Sequence, residues 1–140
     1  MERKIYIVDV FAEEKYSGNQ LAVITGAKGI STEEMQKIAR EMNFSETTFI
    51  TTADETALEY SVRIFTPVEE VPFAGHPVLG TAFVILTEIL QKNVFTLTLK
   101  LKAGKIPVLI DYKEGKPDLL WMKQPSPFYG KKINPDKIPF

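Results

Sequence analysis

Apolar positions along the chain recur with two different periods, and the period switches where turn residues fall. Ile5-Tyr6-Ile7-Val8-Asp9-Val10-Phe11 is rich in β-branched and aromatic residues and apolar at alternate and intervening positions, which predicts a strand buried on both faces. Ser17-Gly18-Asn19 predicts a turn into a second strand over residues 21–25. The period then lengthens. Ser31-x-x-Glu34 is a capping box, and Met35, Ile38, Ala39 and Met42 follow at i, i+3, i+4 and i+7, so a surface helix with one buried stripe is expected. Strands are predicted over residues 46–51 and 58–65, with a turn at Asp54-Glu55 between them. In the second, Leu58, Tyr60, Val62 and Ile64 alternate with Glu59, Ser61 and Arg63, and Thr66-Pro67 ends it.

The next helical segment differs in kind. Pro77-Val78-Leu79-Gly80-Thr81-Ala82-Phe83-Val84-Ile85-Leu86 carries no charge on any face until Glu88, so it has to be surrounded. A chain this short offers no bundle of helices, and the cover must be a sheet curled round it, approached closely at Gly80 and Ala82. Asn93 is the expected end of this helix. Strands over 94–101, 106–112 and 119–123 follow, with turns at Ala103-Gly104-Lys105 and Glu114-Gly115-Lys116-Pro117. The expected fold is α+β, a mixed sheet curled around a central buried helix. Residues 1–123 form the domain, and 124–140, with four of the nine prolines, form an extended arm or linker.

Composition narrows the chemistry. With 140 residues, 44% of them hydrophobic, the chain has room for one ordinary domain. Its net charge of −1 creates no overall attraction to nucleic acid or anionic lipid. The two halves are unequal, however. Residues 1–70 hold seven basic and thirteen acidic groups, and residues 71–140 hold ten and five. The basic excess is all lysine, spaced out and alternating at Lys100 and Lys102, which reads as a solvated face rather than a nucleic-acid patch. No apolar run approaches the ~18 residues of a membrane span, and a cytoplasmic location is the expectation. The absence of cysteine excludes disulfides, thiolate metal sites, a Cys nucleophile and a two-thiol racemase, and a lone histidine makes a metal site unexpected.

That histidine lies in Phe73-Ala74-Gly75-His76-Pro77, just ahead of the uncharged helix. Pro77 suits a first helical turn, so the peptide groups around Gly75, His76 and Val78 are expected to be free donors able to hold an anion, with Gly75 admitting a ligand close to the backbone. The competing reading makes His76 only a local N-cap. Glu46, in Asn43-Phe44-Ser45-Glu46-Thr47-Thr48-Phe49, is flanked by Phe44 and Phe49, and an apolar cleft there would raise its pKa toward the range of a general acid or base. Its competing reading is a solvent-facing carboxylate. Asp9 reads as an anchor in a buried strand, Glu70 as a brace for the loop that presents Gly75 and His76, and Asn19 as a turn residue or a substrate amide donor.

Taken together these segments carry a resemblance. Asp9-Val10-Phe11, Gly18-Asn19-Gln20-Leu21-Ala22-Val23, the helix from Met35 to Asn43, Ser45-Glu46-Thr47 and Arg63-Ile64-Phe65-Thr66-Pro67-x-x-Glu70-x-Pro72-Phe73-Ala74-Gly75-His76-Pro77-x-Leu79-Gly80 closely resemble the phenazine-biosynthesis PhzF-like isomerases. The match covers about residues 5–125 and departs at Gln20, where the family usually has proline, and at Val10, often alanine. It implies one lobe of a diaminopimelate-epimerase-like two-lobe fold, with the active site between the lobes. It further implies a cofactor-independent isomerase in which Glu46 shuttles a proton on a small carboxylic or amino acid and His76 orients it. Asn19, Gly75 and Pro77 are the substrate-binding positions, and no metal is implied. The family chain is roughly twice as long, so one lobe of the two is expected in this sequence. This chain is therefore expected to pair with itself or with a separate C-terminal-lobe chain. The alternative is a non-catalytic lobe that binds a small carboxylate or a partner chain.

Overall fold

A computed structural model describes residues 2–137. Met1 and residues 138–140, the last of the expected arm, lie outside the described residues. The chain forms β1 (Ile5–Val10), β2 (Asn19–Ile24), α1 (Thr32–Met42), β3 (Glu46–Asp54), β4 (Glu59–Phe65), β5 (Glu70–Val71), α2 (Gly75–Val84), β6 (Thr96–Leu101), β7 (Gly104–Lys113) and β8 (Lys116–Met122). The strands make one mixed sheet in the order β1-β2-β3-β4-β6-β7-β8, with β5 paired to β4. Two pairs are parallel, β2 with β3 and β4 with β6, and these are the two that a helix connects. All other pairs are antiparallel. Such alternation follows from length, because a parallel neighbour needs a crossover that a tight turn cannot supply.

The strand period of two divides the core. Val23 and Ile64 face one cluster with Val78, Ala82 and Ile85, whereas their neighbours Ile24 and Phe65 face another with Met35 and Ala39. α1 and α2 therefore cover opposite faces. The helix α1 is the amphipathic one, with the predicted capping box in place: Ser31 Oγ accepts from Glu34 N at 3.2 Å. α2 is apolar all round, and both terminal strands of the sheet, β1 and β8, pack on it, so the sheet is curled about the helix. Its closest approach is at Gly80, where a Cβ would lie 2.6 Å from Leu21 Cδ2 and 2.7 Å from Val10 Cγ2. The polar atoms this contact buries are matched, with Thr48 Oγ1 and Thr81 Oγ1 2.8 Å apart.

Three expectations are corrected. β1 is not buried on both faces: it is an edge strand whose Val10 packs inward while Ile5 and Ile7 are 54% and 62% exposed and Asp9 lies at the surface. Nor is α2 wholly surrounded. A groove of about 920 Å³ separates β1 from β8, and Leu79, Gly80 and Phe83 of the helix form its floor. The helix also ends before Asn93. It passes into a π-helical segment, Ile85–Leu90, and stops at Gln91, whose left-handed backbone (φ 48°) returns its N–H to Leu86 O at 3.0 Å.

Three lysines of the second half, Lys100, Lys102 and Lys105, are paired with carboxylates. Lys100 and Lys105 reach Glu59, the latter at 2.6 Å, and Lys102 reaches Glu70 at 2.7 Å. The unequal charge of the two halves is thus partly neutralised across the β4–β6–β7 surface. Regular pairing ends at Met122, Lys123 N donates to Pro107 O at 3.2 Å, and the chain continues without strands to a short 3-10 turn at Pro135–Lys137. No helix among the described residues is long and apolar enough to cross a membrane.

The contact at Gly80 has a measurable consequence. Gly80→Ala forces a methyl group into the α2–β1–β2 contact and is expected to destabilise the fold by about 1–3 kcal/mol. Urea unfolding should show a lower midpoint with an unchanged slope.

Candidate active site

The start of α2 is built from residues that cannot spend its amide donors. Its N-cap is Ala74, extended at φ −153° and ψ 140°, with no side-chain hydrogen bond to the helix. His76 is accordingly a first-turn residue and not the cap. Val78 N, expected to be free, donates to Ala74 O at 3.4 Å, and Pro77 has no N–H. The N–H groups of Gly75 and His76 remain, and among the described residues no acceptor meets them. They carry the positive end of the helix dipole. A Cβ on Gly75 would come within 3.1 Å of Met122 Cε, so this turn also lies against β8.

Glu46 opens β3, opposite Leu21 of β2, and shares its sheet face with Thr48 and Ile50, the face that α2 covers. This parity corrects the expectation that Phe49 flanks it. Phe49 points the other way, into the α1 cluster, where its ring meets that of Phe65 edge-on. What stands beside Glu46 is His76. Glu46 Oε2 and His76 Nε2 are 3.2 Å apart on side chains only 18% and 10% exposed. They are not aligned as a hydrogen bond, and among the described residues neither buried atom has a partner. Two buried polar atoms meeting at one point without a partner are what a ligand-binding or proton-transferring site presents.

The far side of the imidazole is held by β2. Asn19 Nδ2 lies 3.4 Å from His76 Nδ1, and Ser45 Oγ donates to Asn19 Oδ1 at 3.3 Å. Asn19 is the first residue of β2, paired with Val10, and not part of the preceding turn. Burial pushes the His76 pKa below the ordinary imidazole value, opposed by the Glu46 carboxylate and by the backbone of Gln20. The ring is therefore neutral at neutral pH.

The structure brings together Glu46, His76, Asn19 and Gly75. Pro77, the remaining predicted position, is buried in the same turn and offers no donor. Asp9 stands apart, on the wall of the β1–β8 groove. Glu70 is outside the cluster, in the loop that leads to it. Arg63 donates to both its oxygens, Nε to Oε1 at 2.8 Å and Nη2 to Oε2 at 2.7 Å. Ser45 and the backbone of Gln20 were not predicted. No local pattern marks them, because their role exists only once β2, β3 and α2 meet. Among the described residues no group of three or more His, Cys, Asp or Glu could hold a metal ion.

Comparison with known proteins bears on the family and the fold. The family model described as phenazine biosynthesis-like protein, PhzC-PhzF, matches residues 8–134. A trans-2,3-dihydro-3-hydroxyanthranilate isomerase of Pseudomonas aeruginosa is 40% identical over 121 residues, which cover 86% of this chain and 42% of that protein. An uncharacterized isomerase of Pasteurella multocida is 40% identical over 109 residues, covering 78% and 37%. Among solved structures, a predicted epimerase of Pseudomonas aeruginosa superposes with a TM-score of 0.72 at 34% identity, covering 81% of this chain and 40% of that one. A hydroxyproline epimerase of Agrobacterium vitis, at 12% identity and TM-score 0.63, covers 84% and 40% and shares the fold. The chain spans about two fifths of the length of the curated relatives it matches.

The depressed His76 pKa predicts how stability depends on pH. The unfolded ring binds a proton more readily than the folded one, so the contribution of the neutral ring is complete above the ordinary imidazole value of 6.5. It is lost as pH falls through the folded-state value. Urea unfolding across that range should show decreasing stability toward acid, and His76→Gln should flatten that part of the profile.

Proposed function

Because the chain belongs to the PhzC-PhzF family of phenazine biosynthesis-like proteins, we propose that it is the lobe of a cofactor-independent isomerase in which Glu46 moves a proton on a small carboxylic or amino acid. The observation that carries this reading is the pair of buried, unpartnered atoms Glu46 Oε2 and His76 Nε2, set 3.2 Å apart beside the free amides of α2. The name of the Pseudomonas aeruginosa relative denotes isomerisation of a ring bearing a carboxylate and an amino group. Here a substrate carboxylate accepts from the N–H groups of Gly75 and His76, where the helix dipole favours a negative charge. That contact places a C–H bond against Glu46. The carboxylate takes the proton, the bond electrons spread into the adjacent double bond, and the resulting Glu46 carboxyl returns the proton at the other end of the delocalised system. Composition is unchanged, so the step needs no oxidant or reductant. The neutral His76 imidazole hydrogen-bonds the substrate and fixes which carbon faces Glu46, with Asn19 holding the ring.

Residues 1–123 act as this lobe, in the cytoplasm, with the stretch from 124 leading away from it as an extended arm, and the lobe associates with another copy or another chain through its apolar surface. The support is an apolar surface left uncovered, including Ile7, Phe83 and Trp121, the last two at the β1–β8 groove. The same surface favours a second reading, a lobe that binds a small carboxylate or a partner chain without turnover. Light scattering separates an associated form from a monomer.

Incubation in deuterium oxide with trans-2,3-dihydro-3-hydroxyanthranilate tests the chemistry. Isomerisation should incorporate deuterium, and Glu46→Gln should slow it by about 10²–10⁴-fold. Wild-type protein that binds the compound by calorimetry but neither isomerises it nor exchanges a proton establishes the second reading instead.

A further inference from the structure

Eight residues separate the end of β4 from Ala74, the N-cap of α2, and that stretch decides where the amides of Gly75 and His76 point. It is secured from three directions. Gln36 of α1 donates Nε2 to Thr66 O at 2.9 Å. β4 holds it through the β5 pairing, Ile64 with Val71 and Phe65 with Glu70, and through the two-bond fork from Arg63 to Glu70. The β6–β7 turn holds it through Lys102 Nζ to Glu70 Oε2 at 2.7 Å and Ala103 N to Pro72 O at 3.1 Å. Arg63 also donates from Nη2 to Thr32 Oγ1 at 3.0 Å, so the same guanidinium reaches the first turn of α1.

Glu70 is the common member. Its side chain is 9% exposed, yet it belongs to a two-residue strand on an otherwise irregular loop. Two cations on one carboxylate hold its pKa below the usual range, so it stays ionised. A planar fork fixes direction as well as distance, which a lysine in the position of Arg63 would not do. By contrast, Glu59 on the same sheet surface joins Lys100 and Lys105 without touching this loop.

We infer that Arg63, Glu70 and Lys102 are positioning residues that aim the first turn of α2, and with it His76, at Glu46. The inference rests on the proposed role of His76 and Glu46, but its test does not require turnover. His76 is the only histidine in the chain, so its ring gives a single imidazole titration by NMR. Glu46 and the Gln20 backbone face that ring, and burial is the larger influence on it.

Two variants of the whole chain separate aiming from charge. Arg63→Lys keeps the charge and removes the fork. Glu70→Gln removes an anion, which by charge alone would lower the His76 midpoint further. Release of the first turn hydrates the ring, and both variants are expected to raise the midpoint toward the ordinary imidazole value. Glu59→Gln should leave it in place. Reduced thermal stability with an unmoved His76 midpoint and unmoved ring shifts overturns the inference and makes the cluster a stabilising ion network only. If Glu70→Gln does not fold, Arg63→Lys carries the comparison alone, because it leaves the charge in place and removes only the fork, and an unmoved midpoint there is decisive against. Absent isomerase activity together with the expected titrations would overturn the proposed function and leave the positioning role standing.

Discussion

An apolar helix in a small domain has no surface to offer water, and α2 imposes that constraint on everything around it. With no charge between Gly75 and Val84, it has to be enclosed, and only the sheet is available to enclose it. The sheet curls until β1 and β8 both touch the helix. Close approach at Gly80 and the internal Thr48–Thr81 hydrogen bond follow from the same demand. Because the sheet closes incompletely, the groove between β1 and β8 is where the constraint is least satisfied.

The candidate site is a by-product of that enclosure. A buried helix must begin somewhere, and its first amides lack partners by construction. Here they emerge where β2 and β3 start, so Asn19, Ser45 and Glu46 surround His76. Burial that suits the helix also desolvates the imidazole and keeps it neutral. The sheet's opposite face contributes indirectly, through the Arg63–Glu70 fork and the α1 contact to Thr66. Function and packing share the same residues, which makes the loop from Thr66 to Ala74 sensitive to changes on either face.

Much of the fold was legible because its signals are local. The capping box at Ser31 and Glu34 lies within one turn, and the alternation through Tyr60, Val62 and Ile64 lies within one strand. β1 misled because its composition matches a buried strand while its place in the sheet is an edge. Phe49 misled because sequence adjacency to Glu46 is cancelled by the strand period, which sends odd and even neighbours to different cores. β5, only two residues long, has no period to read.

By itself the sequence determined which residue types were available: one histidine, no thiol, a glutamate next to serine, and an uncharged helix preceded by Gly75. It determined family and fold class as well, since these follow from ordered motifs and periodic burial. Only the tertiary structure decided that His76 Nε2 and Glu46 Oε2 meet at 3.2 Å, that Val78 N is spent while the Gly75 and His76 amides are not, and that Glu70 joins Arg63 to Lys102. These contacts cross tens of residues and depend on strand register and helix placement. The chain encodes them through packing of the whole domain, and no short segment contains them.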